Sequence, residues 1–327
     1  KRNFKKVASI SCLFFLLCFF SFKEKGFQRI RIIDYLNMGT AFSMNSKIED
    51  DTMVYKYYKK AWVFSTSLKP ELRNPEIVKP FLRDYYLKEA KKSQKKDDEK
   101  KKMSLLKKAI YFDYSSSSAH YLYAVTLFNN QKNQEAFLEA LRAAAIQPGV
   151  PRFHLLLAIM HNHMFKKTSW TLYHLKKAEV LMGNLGNEDL IREIQSFRNQ
   201  LKDQALFSSS DLNENYVMIQ TMLQKHIKPL IDFPLDLSLP KNISKWSSAK
   251  EEQYLINLYL HLFLSDGVNL GNIYYQLGIL YLKKEGEENI AYYYLEKAWD
   301  HGIQFDSLSK LLNNILSKQA LQPIPWE

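Results

Sequence analysis

Apolar residues recur every three to four positions along most of the chain, which is the spacing of amphipathic helices. From Asp51 onward this spacing places a group of apolar residues on one side of a helix, namely Val54, Tyr57, Tyr58, Ala61 and Trp62. Further helices are predicted over 75–94, 98–112, 117–129, 133–146, 151–164, 168–182, 187–205, 250–264, 271–284, 287–300 and 306–318. Only ten glycines and ten prolines occur in 327 residues. So few helix breakers favour an all-α protein over a sheet with many turns.

Two stretches depart from the helical spacing. Residues 23–50 lack clear periodicity and are predicted to be a spacer, whereas 206–249 combine polar FSSSDLNEN with the two prolines of IDFPLDLSLP. These breaks predict an N-terminal segment over 1–22, a spacer over 23–50, helical repeats over 51–205, an irregular linking segment over 206–249, a second helical block over 250–320 and a tail over 321–327.

The N-terminus has the pattern of a secretory signal or a membrane anchor. Basic KRNFKK precedes an uncharged apolar run, Val7–Phe22, and KEK follows it. As a helix this run would be roughly 24 Å long, slightly short of a typical bilayer core. No small-x-small cleavage site ends the run, which favours an uncleaved anchor over a cleaved signal peptide. Together with the lysine-rich and phenylalanine-rich composition, this predicts a protein anchored to or exported across a bacterial membrane, facing the periplasm.

Cysteine usage excludes several kinds of site from the rest of the chain. The two cysteines, Cys12 and Cys18, both lie inside the apolar run. A zinc–thiolate site, a disulfide framework and a cysteine nucleophile are therefore excluded after residue 22.

The formal charge of +12 raises the question of a nucleic-acid partner. Much of the excess is local, because lysine and arginine open the chain and lysines crowd residues 88–108. No basic stripe interleaved with aromatic residues follows from the helical spacing, so no nucleic-acid partner is predicted.

Large and small residues repeat about every 34 positions. In SSAHYLYAVTLFNNQKNQEAFLEALRAAAIQP, residues 117–148, a first helix carries Tyr123, Ala124 and Leu127, and a second carries Ala136 and Ala143. A shift of 34 gives Leu157, Ala158 and His161 in the first helix, Ala109 lies 34 residues before Ala143, and Ala178 lies 35 after it. The segment YYQLGILYLKKEGEENIAYYYLEKAW repeats the pattern with Leu277, Gly278, Tyr281, Ala291 and Ala298.

This pattern resembles the tetratricopeptide repeat family, whose 34-residue units are pairs of antiparallel helices. The resemblance covers about 75–182 and 271–303. It departs from the family at Trp170, where a small residue is expected, and over 206–250, which fit no unit. The resemblance implies a right-handed superhelical solenoid of helix-turn-helix repeats, in which the first helix of each unit lines a concave surface that binds a protein or peptide.

The repeat register places a mainly apolar and aromatic set of residues on that concave surface. Such a surface suits an amphipathic helix or an extended apolar peptide, and it has too few cationic or amide side chains to grip a carboxylate terminus. An open alternative is that residues 206–249 fill the groove. The predicted partner-binding residues are Tyr121, Val125, Phe128, Arg152, Leu155, Ile159, Asn162, Tyr275, Ile279 and Leu282.

No motif with a chemical mechanism is present in the sequence. His161 and His163 are two residues apart on a predicted helix and do not share a face. No His-Glu-x-x-His helix, phosphate-binding loop or Gly-x-Ser-x-Gly elbow occurs. We therefore predict no enzyme, catalytic residue, metal, cofactor or small-molecule substrate. The predicted function is a protein–protein interaction scaffold or adaptor tethered at a membrane. The alternative is an exported carrier or assembly factor for other envelope proteins, with its signal cleaved.

Overall fold

The computed structural model describes residues 29–44, 51–67, 77–93, 98–166, 168–183, 187–203, 248–264, 270–284 and 287–319. Across these residues every regular element is a helix, which confirms the all-α prediction for them. The helices are α1 (29–44), α2 (Asp51–Ser67), α3 (Lys79–Lys92), α4 (Glu99–Phe112), α5 (Ser117–Asn129), α6 (Asn133–Ile146), α7 (Pro151–Met160), α8 (Thr168–Met182), α9 (Glu188–Asp203), α10 (Ser248–Leu264), α11 (Leu270–Leu282), α12 (Glu288–Asp300) and α13 (Asp306–Gln319).

Helix α1 lies where the sequence predicted an aperiodic spacer. Its inner side is a narrow stripe of Ile32, Leu36 and Gly39, all buried. Its outer side carries exposed apolar residues as well, so no clean contrast of apolar and polar faces marks it as an amphipathic helix. The predicted anchor, Val7–Phe22, and most of the predicted linking segment, 204–247, lie outside the described residues.

The chain divides into two compact units. The first holds the described residues up to Lys88 and the second runs from Glu89 to Gln319. In the first unit α1 packs on α2 through close approach of Gly39 to the ring of Tyr58. Ring contacts extend this interface from Tyr35 to Phe64 and from Phe42 to Tyr57. Contacts between α2 and α3 join Tyr55 to Tyr85 and Tyr58 to Phe81.

In the second unit neighbouring helices pack as pairs: α5 with α6, α7 with α8, and α11 with α12. Fully buried small residues, including Ala124 and Ala143, line these interfaces. The closest approach is at Gly278, where an added Cβ would lie 2.5 Å from Leu295 Cγ and 3.1 Å from its backbone nitrogen. Small side chains at these positions let the two backbones come together.

Successive helix pairs repeat one another in specific contacts. The Nε2 atom of His120 lies 2.9 Å from the carbonyl oxygen of Tyr114, and Nε2 of His154, 34 residues later, lies 2.9 Å from that of Pro148. The Nδ1 atoms of the two rings face the second helix of their own pairs, at Glu139 in α6 and His174 in α8, which are 35 residues apart. The pairs α5–α6 and α7–α8 are therefore equivalent at these positions.

The helical ladder changes geometry after α7. Residues His161–Phe165 form a π-helical turn, and Lys166 then takes a left-handed backbone conformation with φ 49°. A π turn inserts one extra residue into the ladder and rotates the side chains that follow it. Here it holds His161, which is buried, against Trp170 and His174 of α8.

The C-terminal helices pack onto the repeated pairs and onto one another. Helix α10 contacts both α6 and α11. Near its end the hydroxyl of Tyr173 donates a 2.8 Å hydrogen bond to the carbonyl oxygen of Phe263. Helix α13 buries Leu308 and Ile315 against Leu295 of α12.

Substituting Gly278 tests the close packing of α11 on α12. The Gly278→Ala change gains roughly 1 kcal/mol of helix propensity, but overpacking against Leu295 costs about 1–3 kcal/mol. We expect a net loss in the free energy of unfolding, measured by urea denaturation. The matched control is Gly149→Ala, where an added Cβ meets nothing within 4 Å. Equal stability of the two variants would contradict this account of the helix pair.

Candidate functional site

The three predicted binding residues of α5 are half-buried, and two of them contact α7 or the π turn that follows it. The ring of Tyr121 lies 5.2 Å from that of Phe153, and the ring of Phe128 lies 5.4 Å from that of His163. Val125 lies between them along the helix and is also half-buried. These side chains therefore join one first helix to the next and keep part of their apolar surface in solvent.

The predicted residues of α7 have a similar double role. Leu155 is buried, and it packs together with half-buried Ile159 into the core formed with α8 and α9. Arg152 is half-exposed and lies 3.6 Å from Glu193 of α9. Water screens an ion pair that is exposed to this degree, so it adds little stability. Asn162, in the π turn, is half-buried.

The predicted residues of α11 lie against the C-terminal helix. Tyr275, Ile279 and Leu282 are half-buried and pack on the cluster formed by Leu295, Leu308 and Ile315. The ring of Tyr275 also lies 5.7 Å from that of Phe305. The predicted binding residues thus fall into two sets, one on α5 and α7 and the other on α11, and α13 packs on the second.

A buried polar network, which the sequence analysis did not predict, joins the repeats to the C-terminal helices. At its centre the Nη1 atom of Arg142 donates to Oε1 of Glu139 at 2.6 Å, and its Nη2 donates to the hydroxyl of Tyr281 at 2.8 Å. The second carboxylate oxygen of Glu139 lies 2.5 Å from Nδ1 of His120. Burial alone would raise the pKa of Glu139, but Arg142 and His120 together lower it, so the carboxylate is charged.

Four tyrosines carry this polar network across to the C-terminal helices. The hydroxyl of Tyr259 lies 2.9 Å from that of Tyr281 and 2.8 Å from that of Tyr294, and Tyr114 donates to Tyr294 at 3.3 Å. Burial raises the pKa of all four phenols well above its ordinary value, so each keeps its proton. The network therefore consists of one ion pair surrounded by hydrogen bonds, with helices α5, α6, α10, α11 and α12 each contributing.

Three buried histidines form a second cluster, between α7 and α8. His154 Nδ1 lies 3.1 Å from Nδ1 of His174, and the ring of His161 stacks on that of His174 at 5.3 Å. Phe263 of α10 covers both His154 and His174. Burial lowers the pKa of His154 to about 4 and lowers that of His174 well below its ordinary value. Both rings are therefore neutral at pH 7.

Neither cluster has the arrangement of a metal or catalytic centre. No group of three or more histidine, cysteine or acidic residues suited to a metal ion occurs within the described ranges. The carboxylate of Glu139 is engaged by Arg142 and His120, and its side chain is only 10% exposed. The arrangement can hold helices in register, and it offers no accessible acid or base.

A scan against models of protein families finds no match to this chain, and a search among curated proteins finds none either. None of the helices in the described ranges is both long enough and apolar enough to span a bilayer.

Acid should destabilise the protein through the buried histidine cluster. Unfolded histidine protonates near pH 6.5, whereas His154 in the folded protein resists protonation until about pH 4. Its contribution is therefore present above pH 6.5 and is lost as the pH falls toward 4, by about 3 kcal/mol. Urea denaturation at several pH values measures this loss. His154→Gln should flatten the pH dependence. An unaltered pH dependence in His154→Gln would exclude this role.

Removing one member of the buried ion pair should cost far more than removing a surface pair. Arg142→Met leaves a buried carboxylate without its main partner, and we expect a loss of about 3–5 kcal/mol in the free energy of unfolding. The double change Glu139→Gln with Arg142→Met should recover most of that loss. The control is Lys132→Met, which removes an exposed pair with Glu135. A single Arg142→Met variant as stable as this control would rule out the network as a stabilising element.

Proposed function

We propose that this chain is a non-enzymatic protein-interaction scaffold, built as a right-handed solenoid of tetratricopeptide-like repeats and tethered at a membrane. The repeated contacts of His120 and His154 support repetition of the unit, because the same bond recurs at the family's 34-residue spacing. Small residues at Ala124, Ala158 and Gly278 occupy the family's close-packing positions. The buried polar network connects the C-terminal helices to these units by hydrogen bonds.

The observation that carries the proposal is the half-exposed apolar surface left on successive first helices. Tyr121, Val125 and Phe128 of α5 and Ile159 of α7 keep part of their side chains in solvent after the helices have packed. An amphipathic helix or extended apolar segment of a partner protein would cover this surface. Its charged neighbour, Arg152, is already paired with Glu193, so the contact would be mainly apolar.

The packing of the C-terminal helix within the chain itself supports the proposal that the partner segment is a helix. Tyr275, Ile279 and Leu282 stand in the repeat register of Tyr121, Val125 and Phe128, 154 residues later. An amphipathic helix, α13, lies against them through side chains at helical spacing, namely Leu308, Leu311, Leu312 and Ile315. The surface on α5 and α7 would take a partner segment of the same type.

The membrane tether would be the apolar run Val7–Phe22, with the repeats on the extracytoplasmic side of a bacterial envelope. Support for the tether comes from the sequence pattern of basic residues, apolar run and basic residues. Support for a non-enzymatic role comes from the described titratable clusters, which are buried and engaged with one another.

Site-specific photo-crosslinking in cells tests the binding face. Replacing Phe128 with p-benzoylphenylalanine keeps an aromatic ring there and should give one dominant crosslinked partner. Val180 on α8, which is 57% exposed, is the matched position on a second helix and should give no such product. Equal crosslinked products from both positions, or no product from position 128, would contradict the proposal that this surface binds a partner. Many unrelated exported proteins would instead favour a carrier.

A further inference from the structure

Helix α1 has one side packed on α2 and another that is both exposed and apolar. Four large apolar residues on its outer side are exposed: Ile30 by 55%, Ile33 by 39%, Met38 by 44% and Met44 by 81%. The part of the chain that the structure describes exposes seven large apolar residues, and these are four of them. Isolated exposed apolar residues need no explanation, but this clustering on one 16-residue stretch marks a contact surface.

The exposed residues follow the helical spacing. Ile30, Ile33, Asn37, Ala41 and Met44 lie at steps of three to four residues and are all exposed. Two polar residues exposed on the same side, Asp34 and Asn37, interrupt the apolar stripe. The opposite side, with Ile32 and Leu36, is buried in the first unit. The outer stripe is therefore not needed for packing within that unit.

The length of the connection to the apolar run restricts what can cover this stripe. Only six residues, 23–28, separate Phe22 from the start of the described helix at Arg29. Even fully extended, this connection spans at most about 25 Å. If Val7–Phe22 enters the bilayer, the N-terminal end of α1 is held within that distance of the lipid surface.

The charges around the stripe suit anionic lipid. Four basic residues, Lys23, Lys25, Arg29 and Arg31, outnumber the two acidic ones, Glu24 and Asp34, in the stretch from residue 23 to residue 34. Arg29 and Arg31 are exposed on α1 itself. Basic residues beside an exposed apolar helix face are the features that bind helices parallel to an anionic membrane surface.

We propose that the outer stripe of α1 lies on the membrane surface, with Ile30, Ile33, Ala41 and Met44 at the boundary between headgroups and acyl chains. This inference rests on the proposed membrane tether. The tether attaches the chain to the bilayer, and the α1 contact fixes the orientation of the first unit against it. The basic residues would contact anionic phospholipid headgroups, and the apolar residues would contact the acyl chains below them.

Spin labels in the full chain test this contact. With Cys12→Ala and Cys18→Ala as background, single labels are placed at Ile33→Cys and at Met44→Cys, and the protein is reconstituted in vesicles of phosphatidylcholine and phosphatidylglycerol in equal parts. Collision with oxygen reports lipid and collision with a nickel chelate reports water. The oxygen-to-nickel ratio at both positions should be severalfold higher than at Lys56→Cys, an exposed position on α2 beside Thr52 and Lys60.

Each result of this experiment decides the proposal. A ratio at Ile33 equal to that at Lys56 means that the stripe faces water and overturns it. Low collision rates with both reagents mean that protein, not lipid, covers the stripe, which overturns the proposal. Spin–spin broadening would then identify the covering protein as a second copy of this chain. Flotation of the vesicles separates the two proposals. If the chain floats with the vesicles but the label at Ile33 collides mainly with the nickel chelate, the α1 contact is wrong and the tether stands. If the chain does not float, the tether is wrong as well.

Discussion

The ion pair between Glu139 and Arg142 is the constraint on which the second unit depends. Two buried charges are expensive to hold unless each is paired and hydrogen-bonded. Here the surrounding partners come from separate helices: His120 from α5, Tyr281 from α11, and beyond it Tyr259 from α10. The pair is satisfied only when these helices are all in place, so it defines one arrangement of repeats and C-terminal helices among the many that apolar packing alone would permit.

The repeat register explains why the polar residues occur at these positions. Glu139, His174 and Tyr294 stand at the same point of the second helix in their three pairs, and each contacts the first helix of its own pair at His120, His154 or Tyr274. The same position of the repeat therefore carries a carboxylate, an imidazole and a phenol in the three pairs. In the first and last pairs it connects to the shared network, and in the middle pair it becomes the histidine stack covered by Phe263.

Local information in the sequence predicted most of the helices, and it failed where structure depends on distant residues. Apolar periodicity predicted helices α4 to α13 to within a few residues. The pattern of small residues predicted the close contact of α11 and α12 at Gly278. Helix α1 was missed because both of its sides are apolar. The polar network was missed because Arg142 and Tyr281 are 139 residues apart, and nothing near either residue indicates the other. The half-buried positions of Tyr121 and Phe128 required knowledge of which helix lies beside α5.

The separation of these partners along the chain has a consequence for biosynthesis. Tyr114 and Tyr294 are 180 residues apart, so α4 to α6 leave the ribosome well before the helices that complete their polar network. Until then Arg142 lacks the hydroxyl of Tyr281 as a hydrogen-bond partner. Contacts of such long range slow folding. The polar network can therefore be completed only after α12, which carries Tyr294, has been synthesised.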